Sequence, residues 1–316
     1  MKYRKLGRTG LEVSEIGFGS WAIGGTSYGP TDDIQSLQAL EAAWQGGVNF
    51  FDTADTYGHG HSEELLARFF KGKERSKFIL ASKAGWDFYH GGNKKNFKPE
   101  YIRFACDESL KRLNFDFIDL YQLHNPSLEL ILNGEPVSIL DDLKKQGKIR
   151  FIGISVHSEE DALAAIGDPR VDTVQLIFNL LDQKMLEKVF PLAQEKNIAV
   201  IVREPLACGI LTGKYKAGHK FVKTDHRNRW TEEKLELELE KISKIKNILS
   251  TERLSLSRAA LEFVLDQEAV STVIPGAKTA TQVEENLKSS NDPQLRIQES
   301  FHLKEIYQRE EIFKRK

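Results

Sequence analysis

The stretch FDTADTYGHGHSEE, residues 51 to 64, sets Asp52, Tyr57, His59 and His61 close behind an apolar run. Further on, Lys83 closes the run FILASK, His124 closes FIDLYQLH, and Gln175 sits inside TVQLIFN. A carboxylate, a phenol, an ammonium and an imidazole make joint chemical sense. A free phenol titrates near pKa ~10, so it donates a proton poorly at neutral pH unless a cation stabilises its phenolate. Lys83 suits that cation, Asp52 suits the carboxylate holding it, and His124 suits a donor to an oxygen bound beside Tyr57. Such a set protonates a carbonyl oxygen while a hydride reaches the carbon. No side chain delivers a hydride, so the chemistry implies a nicotinamide cofactor. Taken singly, each residue has a structural reading: turn cap, loop aromatic, snorkelling lysine, core histidine. Together, a lysine and a histidine closing apolar runs are costly to bury unless charges are paired.

These residues are far apart in sequence, so the elements carrying them must bring them together. Short β-branched or aromatic runs alternate with amphipathic helical patterns from about residue 15 to residue 290, as successive βαβ units do. Strands are expected at 15–21, 48–54, 78–83, 117–124, 149–155, 173–179, 198–204 and 271–276. Eight strand-helix units most simply close into a (β/α)8 TIM barrel, with a doubly wound open sheet as the alternative. In a barrel the C-terminal strand ends share one face, which makes Asp52, Tyr57, Lys83 and His124 neighbours in space.

The 316 residues fit one barrel domain spanning 1–316. KLGRTGLEV reads as an N-terminal β-hairpin capping the barrel bottom. The long connection from about 206 to 255 carries a charged helical pattern at 231–250, so an extra helix over the active face is expected there, with another in the charged C-terminal tail. A net charge of -1 argues against a nucleic-acid or polybasic membrane surface, and leaves small molecules as the expected partners. No apolar run approaches a membrane span and no h-region follows the N-terminus, so a cytoplasmic protein is expected. Of the two cysteines, Cys106 falls in an apolar helical series and reads as buried; Cys208 lies in a glycine-containing loop.

Two motifs mislead. GFGSWA, residues 17 to 22, matches a dinucleotide fingerprint, yet IGGTSYGPTDD follows where a helix should receive the pyrophosphate. His59 and His61 suggest the His-x-His of a metal-dependent barrel hydrolase, which would draw Lys83, His124 and His157 from later strands. Against it, Ser62-Glu63-Glu64 reads as an N-cap with acidic first-turn residues, and the eighth strand ends in Pro275-Gly276-Ala277 without a carboxylate. No metal is assigned. A non-catalytic cofactor-binding subunit of the same fold is the other alternative.

The ordered set LGRTGLEVSEIGFGSW, NFFDTADTYGHGHSEELLA, ILASKAG, DLYQLHNP, KIRFIGIS, VQLIFN, PLACGILTGKY and VIPGAKTATQVEENL resembles the aldo-keto reductases over nearly the whole chain. The resemblance implies NADPH-dependent reduction of aldehydes or ketones, with Asp52, Tyr57, Lys83 and His124 as the catalytic set and Tyr57 as general acid. It implies a cofactor across the barrel mouth, NADPH rather than NADH. Ser155 and Gln175 would meet the carboxamide; Pro205, Leu206, Leu211 and Lys214 would lie along the pyrophosphate. Gly276, Lys278, Thr279, Gln282, Glu285 and Asn286 would surround the adenosine, with Lys278 and Thr279 at the 2'-phosphate. Gly19, Ser20, Trp21, Asp52 and Arg203 complete the implied cofactor set. Trp21, Trp86, His124 and Trp230 would wall the substrate pocket. The chain departs from the family at Val156, where an asparagine is common, and at Arg203-Glu204, where many members place an aromatic beneath the nicotinamide. Glu204 beside a pyrophosphate would repel it unless it turns away or pairs with Arg203.

Overall fold

The computed structural model describes residues 1–25, 27–249 and 253–315. An antiparallel hairpin, β1 (Tyr3–Lys5) and β2 (Glu12–Ser14), opens the chain. Between its strands, Gly7 adopts φ +50° and lies so close to residue 199 that an added Cβ would stand 2.5 Å from the Ala199 nitrogen. Only glycine lets the hairpin seat there.

The chain then runs through β3 (Phe18–Gly19), α1 (Asp33–Gln45), β4 (Phe50–Asp52), α2 (His61–Phe70) and β5 (Ile79–Ala84). A small antiparallel excursion, β6 (Trp86–Asp87) with β7 (Lys94–Lys95), precedes α3 (Pro99–Leu113) and β8 (Ile118–His124). There follow α4 (Leu128–Asn133), α5 (Glu135–Lys145), β9 (Ile149–Ser155), α6 (Glu159–Gly167), β10 (Thr173–Ile177), α7 (Val189–Glu195) and β11 (Ala199–Arg203). The last elements are α8 (Glu232–Ile248), α9 (Leu256–Leu265), β12 (Val270–Val273), α10 (Ala280–Asn291) and α11 (Ile297–Arg309). Local signals set the helix ends: Pro99 opens α3, left-handed Asn114 closes it, and Ser158 with Asp161 forms a capping box on α6.

Eight strands pair in parallel in the order β3, β4, β5, β8, β9, β10, β11, β12. Parallel bridges from Ile16 to Val273 and from Gly19 to Gly276 join the first strand to the last. The sheet is thus a (β/α)8 barrel, as its pattern predicts.

Side-chain alternation along each strand builds the site. Phe50, Ile79, Ala81, Leu120, Ala199 and Ile201 form an apolar cluster with Leu6 and Val13 of the hairpin segment, which plugs the lower barrel. Stepping by two along the same strands leads from Phe50 to Asp52, from Ala81 to Lys83, from Leu120 to Gln122 and His124, and from Ile201 to Arg203. The same face is apolar at the bottom and polar at the mouth. A second, larger cluster fills the layer between strands and helices.

Several boundaries differ from expectation. The first barrel strand is confined to Phe18–Gly19, because Ser20–Ile23 turns into a 3-10 helix. The helix α8 forms at the expected place but packs against α11 and the 207–212 turn, and none of its residues lines the cavity. In the tail, Ile312 and Phe313 are buried beneath the charged residues. Among the described residues, no helix is long and apolar enough to cross a membrane.

Candidate active site

Lys83 is wholly enclosed, and its ammonium donates to Asp52 Oδ1 at 2.6 Å, the Thr53 carbonyl at 2.9 Å and the Tyr57 hydroxyl at 3.2 Å. An ammonium has three donors, so all are engaged. Asp52 Oδ2 in turn accepts from the amides of Gln122 at 3.2 Å and Gln175 at 2.8 Å. The carboxylate is thereby locked and pays for burying the lysine. Burial opposes the Lys83 charge, but Asp52 and Tyr57 outweigh it and hold its pKa above the ordinary value.

Tyr57 reaches this lysine because strand β4 ends at Asp52 and turns at once, with the Tyr57 amide donating to the Ala54 carbonyl at 3.1 Å. Burial raises its pKa, and the Lys83 charge works against that rise. The His124 ring stands edge-on to Tyr57, with centroids 5.9 Å apart. Burial, and then the Lys83 and Arg203 charges, hold the His124 pKa well below its usual value, so the imidazole is neutral near pH 7. Its Nδ1 is buried without a hydrogen-bond partner.

These groups open onto a cavity of about 1130 Å³. Trp21 stacks against Tyr57 with centroids 6.0 Å apart, and Trp86 meets the edge of His124 at 6.5 Å. The same cavity is also lined by Gly276, Lys278, Gln282, Glu285 and Asn286. The loops after β3 and β11 join across the end of β12. Tyr28 and Asp225 form an antiparallel bridge, and the His226 backbone donates to the Ser27 carbonyl at 2.8 Å. Arg227 fastens the second loop through Asp225, the Cys208 carbonyl and the Tyr215 hydroxyl. Lys278 donates to the carbonyls of Tyr28, Gly29 and Pro30 at 2.6, 3.3 and 3.1 Å.

Of the residues singled out from sequence, Asp52, Tyr57, His124, Trp21 and Trp86 line the cavity, with Lys83 directly behind. Gly19, Gln175, Arg203, Pro205, Leu206 and Lys214 also line it. Five others stand back. Ser20 is buried and Leu211 is in the core; Ser155 donates to Asn125 Oδ1 at 3.2 Å. Thr279 caps α10 by accepting from the Gln282 amide, and Trp230 packs on Phe221 instead of walling the pocket. The loop carrying Trp230 turns at the 3-10 helix 226–229, which periodicity does not reveal.

His59 and His61 diverge: His59 stacks on Phe88 and His61 bonds Asp33. Among the described residues, no group of three or more His, Cys, Asp or Glu side chains is arranged to hold a metal. Gly60, not Ser62, caps α2; Glu63 and Glu64 fall in its first turn as expected, but Glu63 is turned inward. It is fully buried, bonded to Ser82 at 2.6 Å and Arg112 at 2.7 Å. Asp55 lies behind the site, its carboxyl pushed well up by burial and by Glu63. Cys106 is buried as expected, whereas the Cys208 thiol donates to Glu204.

Cavity residues that pattern reading passed over include Asn125, Arg227 and Arg229. Asn125 immediately follows His124 at a strand end, and that position was the available signal. Arg227 gave little, since beyond its neighbour Asp225 its partners Cys208 and Tyr215 are brought to it by the fold.

The aldo/keto reductase family model matches residues 15–308. The chain belongs to this family, whose members are oxidoreductases acting on carbonyl compounds and using nicotinamide cofactors. It is 35% identical, over 90% of this chain and 85% of the relative, to a Schizosaccharomyces pombe aldo-keto reductase whose name carries NADP(+). It is 29% identical, over 92% of this chain and 94% of the relative, to an NADH-specific methylglyoxal reductase of Escherichia coli. Among solved structures, a holo-form aldo-keto reductase of Bacillus halodurans superposes with TM-score 0.81 at 30% identity, covering 97% of this chain and 96% of that one.

Proposed function

We propose that the protein, acting as one domain, reduces small aldehydes or ketones to alcohols with NADPH, and that Tyr57 supplies the proton. The observation that carries this reading is the Lys83 ammonium, held between the Asp52 carboxylate and the Tyr57 hydroxyl beside a cavity. When bound, a reduced nicotinamide supplies the hydride. Tyr57 donates its proton to the carbonyl oxygen, and Lys83 stabilises the phenolate left behind. Neutral His124 orients that oxygen from the opposite side, and Trp21 with Trp86 confines the substrate and excludes water.

The residues present fit such a cofactor. Gln175 Oε1 is a buried acceptor with no partner, and a carboxamide N–H is the donor it lacks. Lys214, Arg227 and Arg229 bring positive charge to the cavity wall, suited to a pyrophosphate. For the 2'-phosphate we assign Lys278, with Thr279 beside it. Because Lys278 already donates to three carbonyls, a phosphate must draw it away from them, so a modest preference for NADPH over NADH is expected.

The test is NADPH oxidation with a reactive aromatic aldehyde, in the presence of a chelator, for the wild type beside Tyr57→Phe. Turnover by the first and near silence from the second is the expected result. Equal turnover by both would remove Tyr57 from its role, and silence from both would remove carbonyl reduction.

A further inference from the structure

Strand β11 ends in two opposite charges at the cavity. Arg203 Nη1 donates to Glu204 Oε1 at 2.7 Å, while Nη2 donates to the Val156 carbonyl at 3.0 Å and to His157 Nδ1 at 3.1 Å. Glu204 is a non-glycine residue at φ +53°, in the left-handed region, which ordinary side chains seldom adopt. Hydrogen bonds keep it there, one of them from the Ala207 backbone N–H to the Glu204 carbonyl at 2.9 Å. Asn179 donates to its carbonyl at 3.0 Å, Arg203 holds one carboxylate oxygen, and the Cys208 thiol donates to the other at 3.2 Å. This backbone turn folds the carboxylate back onto its own neighbour, so the question raised by the sequence is answered: Glu204 pairs with Arg203.

The location gives the pair a role. A carbonyl oxygen held between Tyr57 and His124 requires its hydride donor within van der Waals reach of the adjoining carbon. Gln175, Arg203 and Glu204 line the same cavity as Tyr57 and His124. The Arg203 charge is near enough to act on both Tyr57 and His124. A nicotinamide ring is cationic when oxidised and neutral when reduced, so a net charge beside it favours one form over the other. An unpaired arginine would disfavour the oxidised ring.

We propose that Glu204 sets the redox poise of the bound nicotinamide by cancelling the Arg203 charge at the hydride-transfer position. This inference rests on the function assigned above. Glu204 acts through Arg203, so it is a positioning residue rather than a catalytic one.

The experiment is equilibrium binding of the oxidised and reduced forms of both NAD and NADP to the full chain, read by fluorescence. Glu204→Gln should raise the ratio of oxidised to reduced dissociation constants about tenfold, which for a two-electron couple is an upward shift of about 30 mV. Arg203→Gln leaves the carboxylate unopposed and should lower the ratio by about the same factor. The double variant should return to within about threefold of wild type. Glu204→Asp keeps the charge and should keep the ratio. Melting temperatures near wild type show that each variant is folded. Shifts of the same sign in both single variants, no shift in folded variants, or a Glu204→Asp ratio matching that of Glu204→Gln would overturn the proposal. Failure of the wild type to bind either form would instead overturn the function on which it rests.

Discussion

Asp119 and Asp52 are both buried carboxylates on barrel strands, one near the bottom of β8 and one at the top of β4. Asp119 accepts from Arg75, from Arg150 at 2.7 Å and from the Leu80 amide at 2.9 Å. None of those partners lines the cavity, and Arg150 reaches in from an exposed position. Asp52 binds one lysine and two amides, and the lysine passes its influence to a hydroxyl that opens on the cavity. Both sites neutralise a buried carboxylate. Only the upper one leaves a titratable group at its end facing substrate-sized space. Burial of charge is therefore a poor guide to function until the last partner in the chain of contacts is named.

Substitutions can separate the two ends. Tyr57→Phe should lower kcat by a factor on the order of 10²–10⁴, the usual worth of a general acid, while thermal unfolding and cofactor binding stay near wild type. A comparable fall in melting temperature would erase the distinction drawn here. At the bottom, Asp119→Ala strands two arginines and a backbone amide, and should cost about 3 kcal/mol of stability in denaturant melts, with kcat of the folded fraction little changed. Lys278→Ala should weaken NADPH binding roughly tenfold more than NADH binding, the worth of one charge-assisted contact to phosphate. Equal weakening of the two cofactors would move the 2'-phosphate elsewhere.

The pH dependence is the smallest effect and the sharpest on the upper site. Tyr57 donates only while protonated, and its pKa is raised, so the reductive rate holds below that pKa and falls above it. His124 is depressed well below its usual value, so it stays neutral through the region near pH ~6.5 where a free histidine titrates. A reductive rate changing less than about twofold between pH ~7 and ~9 is expected. An acid limb near pH ~6.5 would contradict the assignment of neutral His124.

Much of this was legible in the chain. Period-two alternation on strands with known ends predicts that Lys83 and His124 share a face with Asp52, because parallel strands in a barrel all terminate on one side. What escaped was partner choice. Glu63 has the sequence context of a first-turn acid, yet it is buried against Arg112 from α3, a contact fixed by helix packing rather than by local pattern. Trp230 and Arg227 lie three residues apart in one long loop, and only the folded loop decides that the arginine lines the cavity while the tryptophan does not. The left-handed turn at Glu204 has no glycine to announce it, since side-chain and backbone contacts hold it in place.

The bridge between Tyr28 and Asp225 has a kinetic consequence. It links the loop after β3 to the loop after β11, and so spans the end of β12, which lies between those strands. A molecule lying lengthwise beneath such a span cannot leave sideways while the span holds. Its residence time is then governed by how often the loops part, and its affinity by the contacts below, so that the two quantities are free to vary independently.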